Sequence, residues 1–192
     1  FYILNSKNGN ILKRINVEGS ELSPVALKNS LLIPGFRSIS LFKNNGDLKK
    51  IWKINFEENF RARPSMDKQL AYLGSTDKYV YAINLKTGNI EWKFQTLGEV
   101  NSRILSYKDR VYCGSTDGNF YSVNQKNGNL IYKYKVEKSI TGSIIAYKRN
   151  IIFVSRNGNI YAVDYLNGFL KWRYYIGSDN VKQLYLKDDY LV

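Results

Sequence analysis

A period of 40 residues governs what this chain can fold into. The stretch YVYAINLKTGNIEWKFQT returns as NFYSVNQKNGNLIYKYKV and again as NIYAVDYLNGFLKWRYYI. Tyr81, Tyr121 and Tyr161 recur at a spacing of 40, as do Gly88, Gly128 and Gly168, and the aromatics Trp92, Tyr132 and Trp172. Asn84, Asn124 and Asp164 form a fourth column. Agreement in four columns marks a repeated supersecondary unit, and such units bury their apolar faces by stacking on one another. The pattern extends backward through Trp52 and Leu41, with Gly46 two positions early, so that hairpin reads as reworked. The first unit keeps Tyr2 and Gly9 but puts Lys13 in the aromatic column, which predicts the weakest joint there. The units run at about 1–39, 40–78, 79–118, 119–158 and 159–192, within a single domain over 1–192.

Inside a unit the apolar period is two, which means strands. VYAIN alternates, a turn follows, and then NIEWKFQT; SRILSY and RVYCGST come next around the turn Lys108-Asp109-Arg110. Asn8-Gly9, Asn45-Gly46, Asp117-Gly118, Asn127-Gly128, Asn157-Gly158 and Asn167-Gly168 offer the positive φ of tight hairpins. Four hairpin-linked strands in ~40 residues, with no helical period, predict an all-β fold: a β-propeller of four-stranded antiparallel blades. Radial closure protects the sheet edges that a flat stack would expose. The 192 residues hold about 4.8 units. Two readings follow: a window of a seven- or eight-bladed ring, or a five-bladed ring whose end strands share one blade.

AINLKTGNIEW resembles the tryptophan-docking repeat of quinoprotein-type, PQQ-like propellers. That motif has a small residue, an Asp or Asn, a Thr-Gly turn and a Trp at fixed spacing. Ala82, Asn84, Thr87, Gly88 and Trp92 match it in full. Ala162, Asp164, Gly168 and Trp172 match with Asn167 for the Thr, while Ser122 and Tyr132 depart further. The resemblance implies that Trp52, Trp92, Tyr132 and Trp172 dock neighbouring blades, each indole finding a carbonyl in the next one. It also implies a likeness in kind to the lipoprotein propeller of the outer-membrane β-barrel assembly machinery.

Composition removes most chemistry. With no His there is no His general base and no Ser-His-Asp triad, and a lone Cys113 makes neither a disulfide nor a Cys-rich zinc site. A quinone cofactor of the resembling dehydrogenases needs adjacent cysteines and an acidic calcium cluster, so no catalytic, cofactor or metal residues are assigned. Asp77 and Asp117 read as turn residues, and Asn84, Asn124 and Asp164 as turn-fixing ones. The net charge of +13 comes from scattered lysines in an Asn- and Lys-rich composition, so no nucleic-acid partner is predicted. No apolar run approaches the ~18 residues of a membrane span. Phe1 is not an initiator Met, and membrane association would come only from a lipid anchor outside these residues.

The informative departures lie where chain enters the innermost strand of each blade. These entries are SPVAL at 23–27, RARPSM at 61–66, VNSRIL at 100–105 and SITGSI at 139–144. Arg63 and Arg103 share a column on adjacent blades, with Arg61 on the same strand face two residues earlier. Guanidiniums gathered at one rim could grip carboxylates of a protein partner; the bland alternative is solvated charge on a basic surface. The resemblance implies, as the leading functional expectation, a non-enzymatic interaction scaffold of the bacterial cell envelope, periplasmic or held to the outer membrane by a lipid anchor. The alternatives are an arc of a quinone-dependent alcohol or sugar dehydrogenase, or the ligand-sensing propeller of a membrane receptor.

Overall fold

The computed structural model describes residues 1–17, 19, 22–44, 48–177 and 183–191. Every regular element among them is a strand, and every pairing is antiparallel. Four sheets are complete. The first holds β3 (Val25–Leu27), β4 (Ser30–Pro34), β5 (Ser38–Asn44) and β6 (Leu48–Asn55). The second holds β7 (Ser65–Met66), β8 (Leu70–Gly74), β9 (Tyr79–Asn84) and β10 (Ile90–Gln95). The third holds β11 (Leu105–Tyr107), β12 (Arg110–Gly114), β13 (Asn119–Asn124) and β14 (Leu130–Lys135). The fourth holds β15 (Ile144–Tyr147), β16 (Asn150–Val154), β17 (Asn159–Asp164) and β18 (Leu170–Tyr175). Two-stranded sheets flank them: β1 (Tyr2–Leu4) with β2 (Ile11–Arg14), and β19 (Leu186–Lys187) with β20 (Tyr190–Leu191).

Strands follow one another in order within each sheet, and the first strands β3, β7, β11 and β15 approach each other from sheet to sheet. They therefore surround the axis, and the described sheets make up part of a propeller. The end pairs remain separate sheets, so the five-bladed ring with shared end strands is not what forms. Each 40-residue unit spans the outer strands of one blade and the inner strands of the next: 79–118 carries β9 and β10, then β11 and β12.

Burial explains the differing patterns along one blade. Middle strands such as β12 and β16 are buried almost continuously because a sheet covers each of their faces. Outer strands such as β14 alternate, because they form the perimeter. The core lies between sheets: Tyr72, Val80, Ala82 and Trp92 of one blade pack with Val111, Cys113, Tyr121 and Val123 of the next. One joint on, Tyr112, Phe120, Phe153 and Tyr161 stack in a row with centroids 5.8, 4.2 and 5.3 Å apart.

The outer hairpins turn on glycine, with φ of +72 to +81° at Gly9, Gly88, Gly128 and Gly168. The inner ones do not. Lys28, Lys108, Lys148 and Asp188 take φ of 47 to 54° there, and Asp109 follows Lys108 at 56°. Two consecutive left-handed residues twist a hairpin as its strands require. The expectation for Asn45-Gly46 lies outside the described residues.

Candidate partner-binding rim

The loops entering β7, β11 and β15 meet the β8–β9, β12–β13 and β16–β17 turns at one end of the propeller. Thr76 N–H donates to Asn59 O (3.0 Å), Val100 N–H to Ser75 O (3.1 Å), Ile140 N–H to Ser115 O (3.0 Å) and Arg156 N–H to Ser139 O (2.8 Å). Each turn thus holds an entry loop, and the rim is a continuous belt. Asp117 adds to it: Oδ2 accepts Leu97 N–H (3.0 Å), fixing the loop that carries Arg103.

Arg61 and Arg63 lie in the loop before β7, and Arg103 in the equivalent loop before β11. Arg61 was expected on a strand face; it sits in irregular backbone beside the isolated bridge from Phe60 to Ser75. The outward alternation survives nonetheless. Phe60, Ala62 and Pro64 are buried while Arg61 and Arg63 are exposed, and Arg103 is exposed between buried Ser102 and Ile104. Arg63 and Arg103 each stand two residues before an innermost strand, so the fold keeps them equivalent. Arg63 Nη2 donates to Pro24 O (3.2 Å), leaning across the entry loop of the preceding blade. Among the described residues none of the three guanidiniums has a carboxylate partner. Ser65 Oγ and Asn101 Oδ1, buried on the same two blades, also lack a hydrogen-bond partner. Sequence reasoning missed Arg37, whose Nε donates to Asn59 Oδ1 (3.2 Å) and steadies the loop bearing Arg61 and Arg63.

The aromatic column meets the next blade in a repeated geometry. Trp52 Nε1 donates to Leu85 O (3.1 Å) and Trp92 Nε1 to Gln125 O (2.9 Å), each 33 residues on. Each ring covers a turn glycine of that blade: Trp52 over Gly88, Trp92 over Gly128 and Tyr132 over Gly168. Opposite three of the aromatics stands a small residue, Ala82 facing Trp92, Ser122 facing Tyr132 and Ala162 facing Trp172, while Leu41 faces Trp52, each beside a register shift. A bulge there re-aims the outer strand's side chains. Where Tyr132 replaces Trp, its hydroxyl reaches Tyr165 O at 3.4 Å, and Arg110 Nη1 donates to Tyr165 O and Leu166 O at 2.9 Å each. Burial pushes the Tyr132 phenol up to about 12. Lys13, in the same column of the first unit, donates to Leu48 O. Trp172 is 38% exposed.

The acidic and amide columns sit in turns. Asn84 Oδ1 accepts Lys86 and Thr87 N–H, Asn124 Oδ1 accepts Lys126 and Asn127 N–H, and Asp164 Oδ1 accepts Leu166 N–H (2.9 Å). Asp77 and Asp117 accept backbone N–H two residues on and the hydroxyls of Tyr81 and Tyr121. Among the described residues no group of three His, Cys, Asp or Glu could hold a metal ion. Burial pushes the Cys113 thiol far up.

Burial opposes ionisation of Asp117 and Asp164, but hydrogen bonds outweigh it and hold both carboxyls below the usual range. Tyr121 and Asn119 do this for Asp117; Leu166 and Arg149 do it for Asp164. A carboxyl depressed by folding contributes stability that is present above its unfolded pKa of ~3.9 and lost as pH falls through the folded value. Urea denaturation is therefore expected to show stability declining below pH ~5, and declining less in Asp117→Asn/Asp164→Asn. Equal slopes in the two proteins would contradict this.

An arc of four-stranded antiparallel blades, joined by aromatics seated on turn glycines, defines a β-propeller of the PQQ-like repeat class. The chain belongs to the family described as outer membrane protein assembly factor BamB, whose sequence model matches residues 37–185. No curated protein matches the sequence. Among solved structures, BamB from Moraxella catarrhalis is similar with a TM-score of 0.78 at 18% identity, covering 89% of this chain and 53% of that one. The computationally designed Ika8 protein gives 0.86 at 17% identity, covering 96% and 58%. At these identities the structures share the fold, and the chain spans a little over half the length of each.

Proposed function

We propose that this chain is a non-catalytic protein-interaction scaffold of the bacterial cell envelope, working in the periplasm in outer-membrane protein assembly. The observation that carries the reading is the pair Arg63 and Arg103, exposed at equivalent points of adjacent entry loops and with no carboxylate partner among the described residues. The corresponding entries before and after are neutral, with Ser23-Pro24 and Ser143-Ile144. In this column of the repeat the basic character is confined to two adjacent blades. A planar, multi-donor guanidinium suits carboxylates, and a local positive patch steers one acidic segment rather than any anion. Arg61 widens the patch. The aromatic column acts as the joint that keeps adjacent entry loops in fixed relation, so the arginines present a preset spacing to the partner.

Family membership supports an interaction role in kind. The test is capture of the periplasmic domain of the same organism's outer-membrane assembly barrel subunit. Arg63→Ala/Arg103→Ala is expected to lose capture with an unchanged melting temperature, and undiminished capture would refute the rim. The non-enzymatic part has its own check. Calorimetric titration with pyrroloquinoline quinone and with calcium is expected to give no saturable binding, and micromolar binding of either would overturn it.

A further inference from the structure

Lysine stands at one position of the inner hairpin in four consecutive blades. Lys28, Lys68, Lys108 and Lys148 recur every 40 residues between the first and second strands of each sheet, and all four are exposed. Turn geometry does not ask for them. Lys28, Lys108 and Lys148 sit in left-handed backbone, which strains a lysine and suits Gly, Asn or Asp. The turn at Lys68 is built differently, with Asp67 Oδ1 accepting Gln69 and Leu70 N–H at 2.7 and 2.8 Å. The lysine stays while the turn changes, so the side chain and not the backbone accounts for it.

The inner hairpins belong to a wider surface. Leu85 N–H donates to Gln69 O (2.8 Å), Gln125 N–H to Asp109 O (3.0 Å) and Tyr165 N–H to Arg149 O (3.0 Å). Each inner turn thus abuts the outer turn of its own blade, and the Tyr107 hydroxyl donates to Lys148 O (3.0 Å) across to the next. Strand order puts these turns at the end opposite the arginine rim. The outer turns add exposed Lys86 and Lys126, and in the fourth blade Leu166 and Phe169, the latter 70% exposed. Just beyond the turns Ile90, Leu130 and Leu170 share a column and are 45, 48 and 43% exposed. The second and third blades have a neighbour on either side, and the lysine and apolar positions are open there too. Carboxylates do not neutralise this end. Asp67 is bonded within its turn and to Tyr72, Asp164 is buried against Arg149 and Lys171, and Asp189 pairs with Lys148 (3.2 Å). Asp109 and Asp188 are exposed. Among the described residues Lys28, Lys68, Lys86, Lys108 and Lys126 have no carboxylate partner.

We propose that this end of the propeller seats on a bilayer surface containing anionic phospholipid. The lysines reach headgroup phosphates, while Phe169, Leu166 and the Ile90 column enter the boundary between headgroups and acyl chains. An ammonium on a flexible stem takes phosphates at no fixed spacing, which is how a headgroup layer presents them. The apolar corners between the lysines need a less polar layer directly beneath the charged one, and a bilayer supplies it. The proposal stands apart from the identity of the rim's partner, and it leaves the arginine rim facing away from the membrane.

Flotation of the full-length protein tests this, with vesicles of phosphatidylcholine alone and of phosphatidylcholine containing phosphatidylglycerol. The wild type is expected to bind the anionic vesicles more tightly, with affinity falling as salt rises. Lys28→Asn/Lys68→Asn/Lys108→Asn is expected to weaken that binding roughly 100-fold. Its melting temperature should not fall, because Asn tolerates left-handed backbone. Phe169→Ser changes an exposed corner and is expected to weaken binding roughly tenfold. Lys78→Asn/Lys138→Gln/Arg156→Gln removes equal charge from exposed positions at the rim end, and is expected to bind within about twofold of the wild type. Equal binding to the two vesicles overturns the proposal. So does an equal loss in the rim-end variant, which would make net charge the cause, or a Phe169→Ser protein that binds as the wild type does.

Discussion

Replacing Trp92 with alanine is expected to lower stability by ~3–5 kcal/mol, the cost of truncating a buried aromatic in a core. Trp92 is 8% exposed, packs beside Tyr72 with centroids 6.0 Å apart, covers Gly128 and donates to Gln125 O. Its loss opens a cavity between two blades and leaves a carbonyl without its donor. Trp172→Ala, with no turn glycine of the described residues beneath the ring, is expected to change the melting temperature less. Urea unfolding of both variants measures the contrast, and a Trp92→Ala protein as stable as its parent would show that the column does not join blades.

The glycine side of the same joint carries the second large effect. Gly128 holds φ at +73°, and an added Cβ would come within 2.7 Å of Trp92 Cε3 and 2.8 Å of Cδ2. Left-handed backbone costs an alanine ~1–2 kcal/mol, and forcing the rigid indole aside adds ~1–3 kcal/mol. Gly128→Ala should therefore destabilise by more than Gly9→Ala, where the backbone cost stands alone because the space is open. In a Trp92→Ala background the steric part of the Gly128→Ala effect should vanish, a non-additivity that denaturation of the single and double variants reads directly. Additive losses would mean that the two residues do not form one joint.

The parts of this joint are why the fold was legible in the sequence. The aromatic and the turn Gly each have one geometric duty per blade, so they recur every 40 residues, and three of the four aromatics face a small residue. Features that do not repeat left no such trace. Arg110 supports the Tyr165 carbonyl only where Tyr132 stands in for Trp, and its column otherwise holds Ser30, Leu70, Asn150 and Tyr190. Gln125 Nε2 reaches Asp67 Oδ2 (2.5 Å) of the preceding blade, 58 residues away, and Ser106 Oγ (3.3 Å) of its own. At the inner hairpins lysine, not glycine, takes the left-handed position at Lys28, Lys108 and Lys148, and of these turns the sequence marks only Lys108-Asp109-Arg110. At the rim, the equivalence of Arg63 and Arg103 could be counted from the repeat. The loop that carries Arg61 and its tether through Arg37 could not, since both depend on how the 57–64 segment crosses the β8–β9 turn.

The interaction role stands or falls on the rim arginines, and affinity against salt is the measurement that reaches them. Titration calorimetry with the periplasmic domain of the assembly barrel subunit, at low and high ionic strength, compares wild type with Arg63→Glu/Arg103→Glu. The charge reversal touches exposed side chains, so the fold should be unaffected. The account predicts wild-type binding that weakens as salt screens the patch, and no binding by the reversed protein at either salt. Equal affinity in the two proteins, insensitive to salt, would contradict it.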